Sequence, residues 1–462
     1  MIETFIIALA WFIIGAGLLQ NLIYAVQLFV AGRALALRPP LATSNKLWQR
    51  TGDVVPPISV LVPAYNEERT IVAAIRSMLS LEYPNFEVIV IDDGSSDNTL
   101  AAIDAEFQLK TVTRAIDKAV QHKPLKGVYA SERTPKLIVV AKENGGKADA
   151  LNAGINVSRA PLFCALDADS LLEGDALLRA VQPFVDDPIR TVAVGGTIRI
   201  LNGCTTDSGR VTAVGLPKSP LALFQIIEYL RAFLMARLSL SRMQALTIIS
   251  GAFGLFRRQV AISVGGYSPE IVGEDLELVI KIHRAMRERG KDYRVEFIPE
   301  PVCWTEAPES LGVLANQRRR WQRGALETFF KHKDMLTDRR YGRISWLGMG
   351  QMLLVDVIGP IVEVLGYILI PFFYFTGQLS IDYMLAFLAV TFAFGVFISV
   401  GALILEELEL RRFPNARDLS ILALAAVAEN FGYRQLNNLW RLQGLWQYMR
   451  GESGWGPRTV RA

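Results

Sequence analysis

The chain has few of the residues that build disulfide frameworks or histidine-rich metal centres. Its 462 residues include only three cysteines and three histidines. The cysteines are too few and too scattered for a disulfide scaffold or a cysteine-rich zinc site, and no two histidines have metal-ligand spacing. Because 49 lysines and arginines nearly balance 45 aspartates and glutamates, no excess of positive charge favours nucleic acid as a partner.

A glycine-rich dinucleotide-binding loop is also missing. The first predicted strand, ISVLVPA at 58–64, continues into Tyr65-Asn66-Glu67-Glu68, which contains no glycine for close approach to a pyrophosphate. Asp92-Asp93 follows the second predicted strand, where a dehydrogenase would hold a ribose with an acidic residue. Without the glycine motif, a dehydrogenase becomes a remote interpretation, and the acidic pair is better explained as a contact to another kind of nucleotide.

Long apolar runs, in contrast, are abundant. With 51% hydrophobic residues, the composition is too apolar for an ordinary soluble protein. Residues 4–31 carry no charged side chain and can cross a bilayer core of about 30 Å. Two further spans are predicted at roughly 349–376 and 383–405, whereas the shorter run at 419–428 is predicted to be interfacial or re-entrant. Cations after the first run predict a cytoplasmic carboxyl end for it: Arg33, Arg38, Lys46 and Arg50.

Between these runs, apolar strands alternate with amphipathic helices. This pattern predicts an α/β domain with a mainly parallel, doubly wound sheet, in which ligands gather at the carboxyl ends of the strands. The polar segment 106–135 is predicted to be a surface excursion. The amphipathic helix predicted at 220–242 either lies on the membrane surface or packs on the sheet. The candidate strands are ISVLVPA, FEVIVIDDG, KLIVVAK, APLFCALDAD and VAVGGTIRI.

The predicted domain boundaries follow from this alternation. They are an amino-terminal transmembrane helix at 1–32, a cytoplasmic linker at 33–55, a cytoplasmic α/β domain at 56–342, transmembrane and interfacial helices at 343–440, and a basic cytoplasmic tail at 441–462. Asp356 and Glu363 lie inside a predicted span, where carboxylates are costly. They predict either a polar channel wall, or a headgroup-level position for Asp356 and local pairing for Glu363.

Acidic residues at a strand end predict a divalent-cation site. Asp167 and Asp169 follow the apolar run APLFCAL and alternate by two, so their side chains share one face at the sheet edge. Two carboxylates and one Mg²⁺ or Mn²⁺ ion can hold a diphosphate, because the ion neutralises charge that develops on a nucleotide leaving group. We therefore predict Asp167 and Asp169 as metal ligands.

Three further motifs each have two interpretations. Lys147 follows a glycine pair at a helix start, which suits an anionic ligand or an ordinary loop. Glu274-Asp275 opens a helix and is either a helix-dipole partner or a general base for an acceptor hydroxyl. The run Gln317-Arg318-Arg319-Arg320-Trp321 either clamps phosphates and stacks on a sugar, or contacts anionic lipid headgroups.

In their order along the chain, the motifs PAYNEE, DDGS, GGKADALN, DAD, GGTIRI, SGAFGLFRR, GED and QRRRW resemble those of the processive, membrane-integrated family 2 glycosyltransferases. These enzymes include the cellulose, hyaluronan, chitin and poly-N-acetylglucosamine synthases. The resemblance covers roughly residues 58–323. It implies a GT-A domain and inverting transfer from a nucleoside diphosphate sugar, with UDP as the expected nucleotide, to a growing β-linked polysaccharide that crosses the membrane.

Site residues follow from the resemblance position by position. Tyr65, Glu67, Asp93 and Lys147 correspond to nucleoside contacts, Asp167 to a diphosphate contact, and Asp275 with its neighbour Glu274 to the catalytic base. Gln317, Arg320 and Trp321 correspond to the motif that binds the donor diphosphate and the terminal sugar of the acceptor. The implied setting is a bacterial-type inner membrane with the catalytic domain in the cytoplasm, membrane lipids around the spans, and room for an accessory export subunit.

Two other functions are compatible with parts of this pattern. A non-processive enzyme that glycosylates a lipid would keep the same donor chemistry and the membrane helices. A non-catalytic membrane scaffold or transport component would keep the helices alone, but the acidic residues at every expected position argue against it. The size of the product distinguishes polymer from lipid glycoside, and nucleotide binding distinguishes both enzymes from a scaffold.

Overall fold

The computed structural model describes residues 2–38, 47–48, 55–207, 209–409 and 415–452. Most of the predicted linker at 33–55 and the end of the predicted basic tail, 453–462, lie outside the described residues. The chain divides into two compact units. The sheet unit comprises Pro39–Val214 and Gln244–Glu306, and the helical unit comprises Met1–Arg38, Gly215–Met243 and Ala307–Ala462. The chain therefore leaves the sheet unit once, for residues 215–243, and returns to it.

A mixed sheet of ten strands, together with a separate two-stranded ribbon, organises the sheet unit. Its strands are β1 (Ile58–Ala64), β2 (Phe86–Asp92), β3 (Leu109–Thr111), β4 (Leu125–Ser131), β5 (Leu137–Lys142), β6 (Leu162–Leu166), β7 (Leu171–Leu172), β8 (Thr191–Ile200), β9 (Thr205–Asp207), β10 (Arg210–Ala213), β11 (Phe253–Arg257) and β12 (Arg294–Thr305). The strand order is β3-β4-β5-β2-β1-β6-β11-β8-β12-β7, and β9 pairs with β10 in the ribbon.

Helices alternate with the strands of the sheet unit, as the sequence predicts. Those of the sheet unit are Ile71–Leu79, Thr99–Phe107, Lys147–Val157, Ala176–Asp186, Arg258–Ser263 and Glu274–Glu288. In chain order over both units, the helices are α1 (Ile2–Ala36), α2 (Ile71–Leu79), α3 (Thr99–Phe107), α4 (Lys147–Val157), α5 (Ala176–Asp186), α6 (220–242), α7 (Arg258–Ser263), α8 (Glu274–Glu288), α9 (Leu311–Lys331), α10 (Ile344–Phe375), α11 (Ile381–Leu408), α12 (Ala416–Ala428) and α13 (Tyr433–Met449). Single turns lie at Lys333–Leu336 and Arg339–Tyr341.

The predicted α/β fold is confirmed, and its parallel part is the centre of the sheet. Strands β5, β2, β1 and β6 run parallel to one another, and their side chains are almost all buried because helices cover both faces of such a sheet. The five strands predicted from sequence are all present. Their carboxyl ends at Ala64, Asp92, Lys142 and Leu166 bring the predicted polar motifs to one edge.

The sheet is more mixed than the strand-helix alternation predicts. Strand β11 lies antiparallel between β6 and β8, and β4 pairs antiparallel with β5. The segment 106–135 is therefore not only a surface excursion, because it contributes β3 and β4 to the edge of the sheet. Its polar composition reflects the solvent-exposed side chains of edge strands, which look like loop residues in sequence.

The helical unit contains three helices, among the described residues, that are long and apolar enough to cross a membrane: Glu3–Ala36, Ile344–Phe375 and Ile381–Leu408. They correspond to the three predicted spans. Helix α6 packs its apolar stripe against α1, α11 and α12, with Ile227 and Leu234 fully buried.

The carboxylates predicted within a span are both paired. The Asp356 carboxylate accepts a hydrogen bond from Arg441 at 2.9 Å. The Glu363 carboxylate accepts from Gln20 at 2.9 Å and from Asn438 at 2.5 Å. Glu363 pairs locally, as the second interpretation predicts, because its half-buried carboxylate meets hydrogen-bond donors from other helices. The polar channel wall and the depth of Asp356 in the membrane stay predictions.

Candidate active site

Hydrogen bonds join the loops that follow β1 and β2. The backbone NH of Asn66 donates to Ser95 Oγ at 3.0 Å, and the Asn66 side-chain oxygen accepts from the backbone NH of Ser96 at 2.8 Å. Asn66 has φ of 57°, a left-handed conformation that asparagine adopts more readily than most residues. These bonds hold Tyr65 and Glu67 at the same sheet edge as the acidic pair at 92–93, as predicted. Their contact with a nucleoside stays a prediction.

Asp93 is buried and its carboxylate is already engaged within the protein. One oxygen accepts from the Lys142 ammonium at 2.6 Å and from the Gly145 NH at 3.0 Å, and the other accepts from the Gly146 NH at 2.7 Å. Lys142 is 0% exposed and also pairs with Asp149 at 2.5 Å. Asp93 therefore fixes the glycine turn in front of Lys147.

Asp92 differs from its neighbour in its surroundings. Its Oδ1 accepts from the backbone NH of Ser95 at 3.2 Å, which caps the turn after β2. Asp92 ends β2 and Asp93 follows it, so the two differ because Lys142 and the glycine turn hold Asp93. The predicted nucleoside contact at Asp93 stays a prediction, and Asp92 is the second candidate for it.

Lys147 lies at the first position of α4 and brings the acidic motifs together. Its ammonium lies 2.5 Å from Asp167 Oδ1, 3.5 Å from Glu274 Oε1 and 3.5 Å from the carbonyl oxygen of Gly251. Burial lowers the pKa of Lys147, but the charges of Asp167 and Glu274 raise it by more, so the net pKa is raised. A positive charge is thus held between the strand-end aspartate and the acidic start of α8.

Glu274 and Asp275 have different environments at the start of α8. Glu274 is only 3% exposed, and burial raises its pKa to about 7 despite the opposing charge of Lys147. Asp275 is half-buried, and its carboxylate accepts from the Gly251 NH and from the Leu276 NH, both at 2.8 Å. Of the two, Asp275 is the carboxylate that remains accessible from outside the protein.

The two strand-end aspartates fit a divalent cation shared with a diphosphate. The Asp167 side chain is 35% exposed and Asp169 is exposed. No group of three or more His, Cys, Asp or Glu side chains within the described ranges could hold a metal by itself. Mg²⁺ is usually bound through one or two carboxylates, with substrate phosphates and waters completing its octahedron, so the donor set here suits an ion that arrives with the nucleotide.

The motif at 317–321 lies on α9 in the helical unit. Trp321 is 46% exposed, so its indole face is available to a ligand. Arg320 and Gln317 are half-buried. The Gln317 side-chain oxygen is shielded from solvent and meets no hydrogen-bond donor among the described residues.

Several residues that shape this site were not predicted from sequence. Lys142 is the polar end of an otherwise apolar strand, and its position after five apolar residues was the available signal. Gly251 carries both a carbonyl oxygen for Lys147 and an NH for Asp275. Asn152 accepts from the Tyr267 NH at 2.8 Å and donates to the Tyr267 carbonyl at 2.9 Å, which ties α4 to the segment that leads into α8.

The chain resembles known proteins in sequence and in fold. Residues 59–265 match the family described as Glycosyl transferase family 2. Poly-beta-1,6-N-acetyl-D-glucosamine synthases of Staphylococcus epidermidis and of Staphylococcus aureus (strain COL) are each 32% identical over 274 residues, which is 59% of this chain and 56% of the relative. The chain thus matches a little over half the length of these curated relatives.

A solved structure resembles the whole chain. The mannosyltransferase PcManGT from Pyrobaculum calidifontis, in complex with GDP-Man and Mn²⁺, superposes with a TM-score of 0.56 at 18% identity, covering 98% of this chain and 100% of that one. At this identity the likeness concerns the fold alone, a GT-A domain with associated helices. Residues 59–265 therefore match the family 2 glycosyltransferases, and the chain is similar over 59% of its length to the poly-beta-1,6-N-acetyl-D-glucosamine synthases.

Proposed function

We propose that the chain is an inverting glycosyltransferase that moves a sugar from a nucleoside diphosphate, UDP in the first instance, onto a growing β-linked polysaccharide. The observation that carries the proposal is the position of the Lys147 ammonium, 2.5 Å from Asp167 and 3.5 Å from Glu274. The ammonium thus lies between Asp167, which suits a diphosphate site, and Glu274, the neighbour of the candidate base Asp275. Transfer of an activated sugar needs both a diphosphate site and a base next to the same sugar.

Each group has a separate task in the proposed reaction. Asp275 accepts the proton of the acceptor hydroxyl as its oxygen attacks the anomeric carbon. The bond from that carbon to the diphosphate oxygen breaks on the opposite face, and its electron pair leaves with the nucleoside diphosphate. Lys147 faces the leaving group with a fixed positive charge, and such preorganised charge stabilises the developing anion. Glu274 is buried beside Lys147 and helps to keep it protonated.

A divalent ion, Mg²⁺ or Mn²⁺, would be held by Asp167 and Asp169 together with the donor phosphates. When bound, it would neutralise charge on the leaving diphosphate. Asp92 or Asp93, with Tyr65 and Glu67, would contact the nucleoside. Gln317, Arg320 and Trp321 would bind the donor diphosphate and the terminal acceptor sugar, with the indole face against the sugar ring.

The base assignment is tested by release of nucleoside diphosphate from the purified chain with a saturating donor. Asp275→Asn should lower kcat about 10²- to 10⁴-fold, the usual contribution of a general base, while donor affinity changes little. Asp292→Asn is the matched control and should retain turnover, because Asp292 is exposed and lies four residues beyond the carboxyl end of α8. Near wild-type turnover of the Asp275 variant would remove Asp275 from the mechanism.

The donor and product are identified by two further measurements. UDP-glucose, UDP-N-acetylglucosamine, UDP-glucuronate and GDP-mannose should be compared as donors, because the curated relatives are named for an N-acetylglucosamine polymer and the similar structure contains GDP-Man. Product from a limiting amount of enzyme should be polymer of many sugars. A product that carries a single sugar on lipid would instead favour the lipid-acceptor function.

The membrane setting completes the proposal. We propose that the three apolar helices anchor the chain in an inner membrane with the glycosyltransferase domain in the cytoplasm, where nucleotide sugars are made, and that they take part in moving polymer across it. The support is the length and apolar character of the helices and the cations that follow the first of them. Protease or cysteine-labelling accessibility of the sheet unit in right-side-out and inside-out vesicles tests the orientation.

A further inference from the structure

The second residue of the motif at 317–321 is not available to a ligand. Arg318 is buried, and its guanidinium donates to Glu228 Oε2 at 2.8 Å. The hydroxyl of Tyr433 donates to the same carboxylate oxygen at 2.7 Å. The Arg318 guanidinium also lies 4.3 Å from the centre of the Trp321 ring. Residues of α6 and α13 thereby determine where the cation beneath Trp321 sits.

A second contact from α13 fixes the residue after Trp321. Arg441 Nε donates to the side-chain oxygen of Gln322 at 2.8 Å, and its Nη2 donates to Asp356 Oδ1 at 2.9 Å. The side-chain nitrogen of Gln322 donates to the backbone carbonyl of Asp356. Gln322 is buried, so these bonds replace water for each of its polar atoms.

Between these two contacts, α9 and α13 approach each other closely. A Cβ atom placed on Gly444 would lie 2.7 Å from the carbonyl oxygen of Arg319 and 2.9 Å from Gln322 Cβ. Both neighbours belong to the turn of α9 that carries Trp321. Only glycine permits this separation, because any side chain would push the two helices apart.

We propose that α13, together with Glu228 of α6, positions Trp321, and that Glu228, Tyr433 and Arg441 act as positioning residues through Arg318 and Gln322. The inference rests on the proposed role of Trp321 in binding the terminal acceptor sugar. An indole that stacks on a sugar must keep its ring in one orientation. Because the Trp321 side chain is 46% exposed, neighbouring residues on its own helix restrain that orientation. Arg318, three residues earlier, is held by Glu228 of α6, which Tyr433 of α13 also contacts, and Gln322, the next residue, is held by Arg441 of α13.

The proposal is tested by separating acceptor binding from donor binding. Tyr433→Phe removes one hydroxyl, and Glu228→Gln removes the charge that holds Arg318. Each should raise the KM for an oligosaccharide acceptor about tenfold, the effect of losing one charge-assisted contact. The KM for the donor, and its slow hydrolysis without acceptor, should stay within about twofold. Tyr448→Phe is the matched control, since it removes a hydroxyl from the same helix at a ring that stacks on Phe330.

A spectroscopic measurement distinguishes positioning from general loss of structure. In the chain labelled with 5-fluorotryptophan, the Trp321 resonance is assigned by its disappearance in Trp321→Phe. It should shift or broaden in Tyr433→Phe while the other tryptophan resonances keep their positions, and it should be unchanged in Tyr448→Phe. Where Glu228→Gln does not fold, Tyr433→Phe and Gly444→Ala carry the test.

Two results would overturn the inference, and they are distinguishable from each other. An unchanged acceptor KM and an unchanged Trp321 resonance in Tyr433→Phe and Glu228→Gln, together with a raised acceptor KM in Trp321→Ala, would remove the positioning role and leave the proposed function intact. An unchanged acceptor KM in Trp321→Ala would instead remove the proposed role of Trp321, and the inference with it.

Discussion

Replacing Lys142 with methionine should destabilise the sheet unit more than almost any other single change near the site. The lysine is 0% exposed, and its ammonium pairs with Asp93 at 2.6 Å and with Asp149 at 2.5 Å. Methionine keeps the length of the side chain but leaves two buried carboxylates without their shared cation. Removing one partner of a buried ion pair costs about 3–5 kcal/mol.

The size of this effect can be measured as a shift in thermal unfolding. For a unit of roughly this size, about 1 kcal/mol corresponds to about 2–4 °C in Tm, so Lys142→Met should lower Tm by about 6–20 °C. Because Asp93 holds the Gly145 and Gly146 amides in front of Lys147, donor binding should weaken as well. Fluorescence-detected melting of the detergent-solubilised chain and calorimetric titration with UDP provide the two measurements.

The matched control lies at the other end of the same segment. Lys136 is exposed and its ammonium lies 4.1 Å from the centre of the Phe86 ring. Lys136→Met should cost no more than about 1 kcal/mol, the usual worth of an exposed cation–π contact. If Lys142→Met and Lys136→Met lower Tm equally, or if Lys142→Met costs under about 1 kcal/mol, then the buried ion pairs do not stabilise the turn as inferred here.

Three further substitutions test other parts of the site. Burial raises the pKa of Glu274 from 4.5 to about 7, so the folded chain keeps this proton between those pH values. The free energy of unfolding should therefore fall by up to about 3 kcal/mol as the pH rises across them. Glu274→Gln should flatten this part of the Tm-against-pH curve, and an unchanged slope would refute the raised pKa of Glu274. Gly251→Ala places a methyl group 2.8 Å from the Lys147 ammonium, so it should raise the donor KM severalfold in steady-state assays while costing at most about 1–3 kcal/mol of stability in chemical denaturation. Asn66 has φ of 57°, so Asn66→Ala should be less stable than Asn66→Gly by about 1 kcal/mol in the same denaturation experiment; equal stabilities would mean that the left-handed conformation is not retained.

The sequence predicts the elements of this chain better than their pairing. Alternating apolar segments are enough to find the central parallel strands and the three apolar helices. They do not reveal that β11 enters the sheet antiparallel between β6 and β8, because a strand of five residues carries no signal for its partners. Pairing of this kind depends on contacts between segments about 60 to 90 residues apart.

The site residues show the same limit at smaller scale. Motif order correctly groups Lys147, Asp167 and Glu274. The carboxylates of Asp167 and Glu274 each lie within 3.5 Å of the Lys147 ammonium. It does not separate Asp92 from Asp93, since the difference comes from Lys142 and the glycine turn rather than from the strand itself. Burial likewise distinguishes Glu274 from its neighbour Asp275, and no periodicity in the sequence predicts it.

The excursion of the chain through α6 has a practical consequence for expression. Residues 215–243 belong to the helical unit, yet β11, α8 and β12 come after them and belong to the sheet unit. A fragment that stops at residue 214 would therefore lack the strand that joins β6 to β8, and would lack Asp275 too. A water-soluble catalytic fragment must instead retain residues 244–306 and bridge the excised helix with a flexible linker, and during synthesis on the ribosome the sheet cannot be completed before α6 has emerged.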